Sequence, residues 1–121
     1  MKKVLIVDDQ AEVRRLVAMT LKVGQYKVFQ AQSGKEAIDA ARKEKPDLII
    51  MDIMMPGDTD GLEATRVLKN DPETKDSTII MLTSKGQEFD KEKGIEAGAD
   101  DYFTKPFSPL DLIKKVEEVL G

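Results

Sequence analysis

The chain has 121 residues, 40% apolar and 35% charged, with a net charge of −4 and neither cysteine nor histidine. That length forms one domain, residues 1–121, able to bury about two-thirds of the surface its unfolded chain exposes. The composition excludes disulfides, thiolate chemistry, an imidazole base and a phosphohistidine on this chain, and the acidic balance argues against direct nucleic-acid binding.

Lys2 and Lys3 precede the apolar run Val4–Val7, which is too short for a signal segment and ends at once on Asp8 and Asp9. No run is long enough to span a bilayer, and the absence of cysteine agrees with a reducing cytosol, so the sequence predicts a cytoplasmic protein without a membrane partner. Val13, Leu16, Val17, Thr20 and Leu21 fall at helical spacing after the first strand. Asp9 with Glu12 fits a capping box for that helix, and Gly24 ends it. Tyr26–Ala31 alternates as an edge strand does. Ser33 with Glu36 caps a second helix that turns Ala37, Ile38 and Ala41 inward, and Pro46 stops it.

Leu48–Met51 is a continuous apolar run ending on Asp52, which predicts a strand buried on both faces in the middle of a parallel sheet. Asp60 and Glu63 open a third helix running to about Asn70, and Asp71–Pro72 breaks it. Thr78–Thr83 is another buried strand. A weakly apolar helix around Glu88–Ala97 follows, with Gly94 inside it, and then a short strand, Asp101–Thr104. Ser108 caps a last helix that places Leu112, Ile113, Val116 and Val119 on one face. Strand and helix alternate five times, which predicts an α/β three-layer sandwich: a five-stranded parallel sheet in the order 2-1-3-4-5 with five helices.

In such a sheet all strand ends lie on one edge, where open α/β folds bind ligands. The first ends on Asp8–Asp9, the third on Asp52, the fourth on Thr83–Ser84 and the fifth on Lys105. Three carboxylates brought together repel, and a hard cation relieves them. Mg²⁺ suits a few carboxylates and leaves room for a phosphate oxygen, whereas Ca²⁺ wants more protein oxygens in a dedicated loop. A transferring phosphoryl group spreads charge over three oxygens. The metal, Lys105 and Thr83 answer those three, with Asp52 as the nucleophile.

VDDQ at Asp8–Asp9, MDIMMPG at Asp52, MLTSKG at Thr83 and AGADDYFTKPF at Lys105 together resemble the receiver domain of two-component response regulators, the CheY-like fold. The likeness runs through the whole chain in order. It implies that Asp52 accepts a phosphoryl group from a phosphohistidine on a sensor histidine kinase or phosphotransfer protein. It also implies that Asp9, Asp52 and the backbone carbonyl of Met54 bind Mg²⁺, with Asp8 acting through water. Thr83 and Lys105 would contact the phosphoryl group, Thr83 and Tyr102 would form the switch, and Lys105–Pro106 matches the family's cis peptide. Compared with the family, Gly57–Gly61 carries one extra residue. Met54 and Lys85, two positions beyond Asp52 and Thr83, are expected to set the phosphate lifetime.

The resulting expectation is a phosphorylation-switched signalling module, not a stand-alone enzyme, acting through its fourth helix and fifth strand on an unknown output partner. It would be a monomer or a phosphorylation-dependent dimer. Two alternatives share this chemistry: a phosphorelay intermediate, and a receiver domain cut from a longer DNA-binding regulator. A haloacid-dehalogenase-like phosphohydrolase needs a second acid where Met54 stands, and a nucleotide-binding fold needs a Gly-rich loop after the first strand. A receiver that has lost phosphorylation would lack the intact acid, hydroxyl and lysine set.

Overall fold

In the computed structural model the elements run β1 (Lys2–Val7), α1 (Ala11–Leu21), β2 (Tyr26–Ala31), α2 (Gly34–Glu44) and β3 (Leu48–Asp52). They continue with α3 (Gly61–Asn70), β4 (Thr78–Ser84), α4 (Glu88–Ala97), β5 (Asp101–Lys105) and α5 (Pro109–Leu120). The structure describes residues 1–53, 55, 57, 59–84 and 88–120, with the side chains of 84 and 88–91 outside that description. All five strands pair in parallel in the order β2-β1-β3-β4-β5, as the alternation predicts.

Side chains alternate between the two faces of a strand, and the core divides accordingly. Leu5, Val7, Ile49, Met51, Ile79 and Met81 join Ala37 and Ala41 of α2 and Ala64 and Leu68 of α3. Val4, Ile6, Leu48, Ile50, Ile80 and Leu82 join Val17 and Leu21 of α1 and Leu112 and Val116 of α5. The three central strands are therefore apolar on both faces, which is why their sequences read as unbroken runs. Helix α4 lies beside α3 and against β4 and β5.

The caps follow the side-chain chemistry in most places. Ser33 Oγ accepts from Glu36 N–H at 3.2 Å, Asp60 Oδ1 from Glu63 N–H at 2.9 Å, and Ser108 Oγ from Asp111 N–H at 3.1 Å. At α1 the expectation fails. Its N-cap is Gln10, with no side-chain cap bond, and Asp9 is exposed rather than folded onto the helix. The upstream Asp8 Oδ1 accepts from Gln10 N–H at 2.9 Å instead, so the chain starts its helix one residue later and leaves the Asp9 carboxylate out of the cap. The same helix ends at Leu21, and Gly24 belongs to the turn beyond it, its N–H donating to Leu21 O. Leu16 is 45% exposed: the inward stripe is Val13–Val17–Leu21, at intervals of four, and Leu16 flanks it. Strand β5 also runs one residue further than expected, to Lys105.

Candidate functional site

Four strand ends meet at the carboxyl edge. Asp8 follows β1, Asp52 ends β3, Thr83 lies at the end of β4 and Lys105 ends β5. Asp8 and Asp52 continue the parity of Val4, Ile6 and Leu48, Ile50, and Asp8 is fully buried while Asp52 is 7% exposed. Asp9 is exposed at the rim. One carboxylate oxygen from each of Asp8, Asp9 and Asp52 lies within 4.8 Å of the others.

Lys105 comes from the edge strand β5, three strand spacings or about 14 Å from β1. Its long side chain reaches back toward the middle of the sheet. Its Nζ stands 3.0 Å from Asp8 Oδ2 and 3.5 Å from Asp52 Oδ1. Both Asp8 oxygens are thus partnered, one by Lys105 and one by Gln10 N–H. Asp52 has the weaker share of the ammonium. Burial, and then the Asp8 charge, push its carboxyl from the ordinary 3.8 up to about 6 against the pull of Lys105. The group is still mainly ionised at neutral pH and is more basic than an ordinary carboxylate.

Thr83 is 2% exposed, and among the described residues its Oγ1 has no hydrogen-bond partner. A buried hydroxyl left unsatisfied costs about 1–3 kcal/mol, and this one belongs to the strand beside β3, one residue beyond Leu82, the strand partner of Asp52. Three acidic oxygens suited to a hard cation, an ammonium and an idle hydroxyl fit a metal-bound phosphoryl group.

The turn after β3 is held from below. Ile53 N–H donates to Leu82 O, and Gly61 N–H donates to Ile53 O, so α3 begins directly under the end of the Asp52 strand. A Cβ at Gly61 would overlap the Asp52 carbonyl oxygen, and one at Gly34 would overlap the Thr59 carbonyl oxygen. Both glycines are required by close backbone approach. Thr59 is thereby seated on α2, and the start of α3 on the end of β3. The expectations at Met54 and Lys85 lie outside the described residues, as do Pro56 and Asp58. Tyr102 is 39% exposed on β5, and the Lys105–Pro106 peptide is cis.

Sequence reasoning brought Asp8, Asp9, Asp52, Thr83 and Lys105 to one edge, and the structure places them there. It missed Arg14, which reads as a solvated helix charge but whose Nη1 reaches the Asp8 carbonyl oxygen at 2.7 Å. It also passed over Gly61 as a packing residue, although the Asp60–Gly61 pair was visible as a helix start.

Residues 4–117 match the response regulator receiver domain family. The chain is 47% identical over 119 residues to the phosphate regulon transcriptional regulatory protein PhoB of Pseudomonas aeruginosa, covering 98% of this chain and 52% of that protein. It is 46% identical over 118 residues to the transcriptional regulatory protein ResD of Bacillus subtilis, covering 98% and 48%. The chain thus spans about half the length of the curated relatives it matches. Among solved structures it resembles chemotaxis response regulator CheY4 of Vibrio cholerae, with TM-score 0.91, 36% identity and 98% of each chain covered. It also resembles the signal receiver domain of a histidine kinase from Syntrophus aciditrophicus, with TM-score 0.89, 32% identity, and 99% and 90% covered. Receiver domains of this family are signalling modules rather than classical enzymes, bind Mg²⁺ through acidic residues and interact with histidine kinases. With the fold, the edge cluster and the family match in agreement, the chain belongs to the response regulator receiver domains.

Proposed function

We propose that residues 1–121 form one receiver domain that accepts a phosphoryl group on Asp52 from a histidine kinase in a Mg²⁺-dependent reaction. The observation that supports this best is the convergence of Asp8, Asp9 and Asp52 with Lys105 at the sheet edge where β4 also ends on Thr83. Asp9 and Asp52, with the Met54 carbonyl, would hold Mg²⁺, and Asp8 would act through water. The ion would supply charge neutralisation at the phosphoryl oxygens. An Asp52 oxygen attacks phosphorus, the N–P bond of the phosphohistidine breaks, and the imidazole nitrogen leaves with the electron pair. Lys105 and Thr83 receive phosphoryl oxygens, and the pull on Thr83 draws Tyr102 inward. Helix α4 and strand β5 then change their affinity for a partner in the cytoplasm. Among the described side chains of helix α4, Ile95 is half-exposed, and Gly94 lowers the helix propensity by about 1 kcal/mol relative to Ala.

The relatives favour a second reading of the output. PhoB and ResD are transcriptional regulatory proteins about twice as long, so this domain would serve as the receiver of a longer DNA-binding regulator.

Incubation with Mg²⁺ and a small acyl phosphate, followed by intact mass measurement, tests the chemistry. The wild type gains one phosphoryl group; Asp52→Ala and EDTA-treated samples gain none. Uptake that persists in Asp52→Ala overturns Asp52 as the acceptor.

A further inference from the structure

Asp9 is exposed, and among the described residues no hydrogen bond or ion pair holds its carboxylate, so its position follows from the peptide that joins it to the buried Asp8. That peptide unit is planar; holding the Asp8 carbonyl oxygen therefore also sets the direction in which the chain reaches Asp9. Arg14, one turn into α1, donates from Nη1 to this oxygen at 2.7 Å. Its Nε donates to Gln30 Oε1 on β2 at 3.3 Å. The rest of the junction is equally tied: Asp8 N–H donates to Ala31 O at 3.1 Å, and Arg14 N–H to Gln10 O at 3.2 Å.

We propose that Arg14 is a positioning residue of the cation site, acting through the Asp8–Asp9 peptide and braced by Gln30. The inference rests on the reading of Asp8, Asp9 and Asp52 as that site. Guanidinium geometry suits the task, because one planar group serves two acceptors at once. The bond to the carbonyl has the short length of charge-assisted bonds.

The direction of the effect separates positioning from charge. As a bare charge, Arg14 repels a dication, so removing it would tighten Mg²⁺ binding. As a positioner, its loss lets the Asp8–Asp9 peptide rotate and weakens binding. Groups that orient metal ligands from behind are worth about 10–100-fold in affinity.

Calorimetric titration with Mg²⁺ alone, on wild type, Arg14→Met, Arg14→Lys and Gln30→Ala, decides the matter, with melting in EDTA to confirm folding. Arg14→Met should raise the Kd about tenfold. Arg14→Lys keeps the charge but not the fork, so it should recover only part of that loss. Gln30→Ala, at an exposed edge position, should weaken binding by a smaller factor. In the metal-free protein, amide exchange at Asp9 and Gln10 should be faster in Arg14→Met. Wild-type-like or tighter Mg²⁺ binding by Arg14→Met overturns the positioning role while leaving the site reading intact. If that variant does not fold, an unchanged Kd in Gln30→Ala overturns it. Failure of the wild type itself to bind Mg²⁺ removes the site reading and the inference with it.

Discussion

Asp52→Asn stabilises the metal-free protein by about 2–3 kcal/mol above pH 6, where the wild-type carboxylate is ionised. Each tenfold change in proton affinity is worth about 1.4 kcal/mol, and the folded carboxyl titrates near 6 against 3.8 for a free one. Below 3.8 both the folded and unfolded chains hold the proton, and Asp52 carries no penalty. Between 3.8 and 6 the unfolded chain releases its proton first, so the folded state binds more protons and loses stability as pH rises. Above 6 the cost is constant. Asparagine never ionises, so its advantage grows through that window and then levels off. Urea unfolding in EDTA across the pH range measures it. Saturating Mg²⁺ should narrow or reverse the gap, because an ion held by the three acids would stabilise the folded wild type. Equal stabilities of the two proteins in EDTA at neutral pH would show that burial and Asp8 do not disfavour the Asp52 carboxylate.

Gly61→Ala destabilises the fold by about 3 kcal/mol or more. The added methyl would meet the Asp52 carbonyl oxygen and carbon and the Ile53 Cα, all backbone, which cannot step aside as a flexible side chain does. Helix α3 must retreat, breaking the Gly61 N–H bond to Ile53 O, or the end of β3 must shift and carry Asp52 with it. Either outcome reaches the site, so surviving folded protein should also bind Mg²⁺ more weakly. Denaturant midpoints and a Mg²⁺ titration read the two effects separately. A variant with wild-type stability would mean that α3 does not press on the strand.

Asp52 was legible in the sequence and the packing role of Gly61 was not. The central strands announce themselves because burial on both faces removes polar positions from Leu48–Met51 and Ile79–Leu82. Once the strands are parallel, the residues that follow them share an edge, and Asp8, Asp52, Thr83 and Lys105 need no further information to be brought together. Side-chain caps at Ser33, Asp60 and Ser108 are equally local and were readable. The start of α1 was not, because two acids compete there: Asp8 takes the Gln10 N–H, which frees Asp9 from the capping bond its spacing suggests. Lys105 choosing Asp8 at 3.0 Å over Asp52 at 3.5 Å depends on three-dimensional reach across the sheet. Arg14 acts through a backbone oxygen, an acceptor every residue offers, and so leaves no pattern in the sequence.

The central claim is that distant segments gather a divalent cation and a single phosphate-accepting carboxylate. A crystal of the protein with Mg²⁺ and beryllofluoride, the latter a stand-in for the phosphoryl group, tests it most directly. The expected map shows beryllium on an Asp52 oxygen, Mg²⁺ against Asp9 and Asp52, and fluorines facing Thr83 Oγ1 and Lys105 Nζ. Beryllofluoride bound elsewhere with Asp52 bare, or Mg²⁺ away from the three acids, would contradict it.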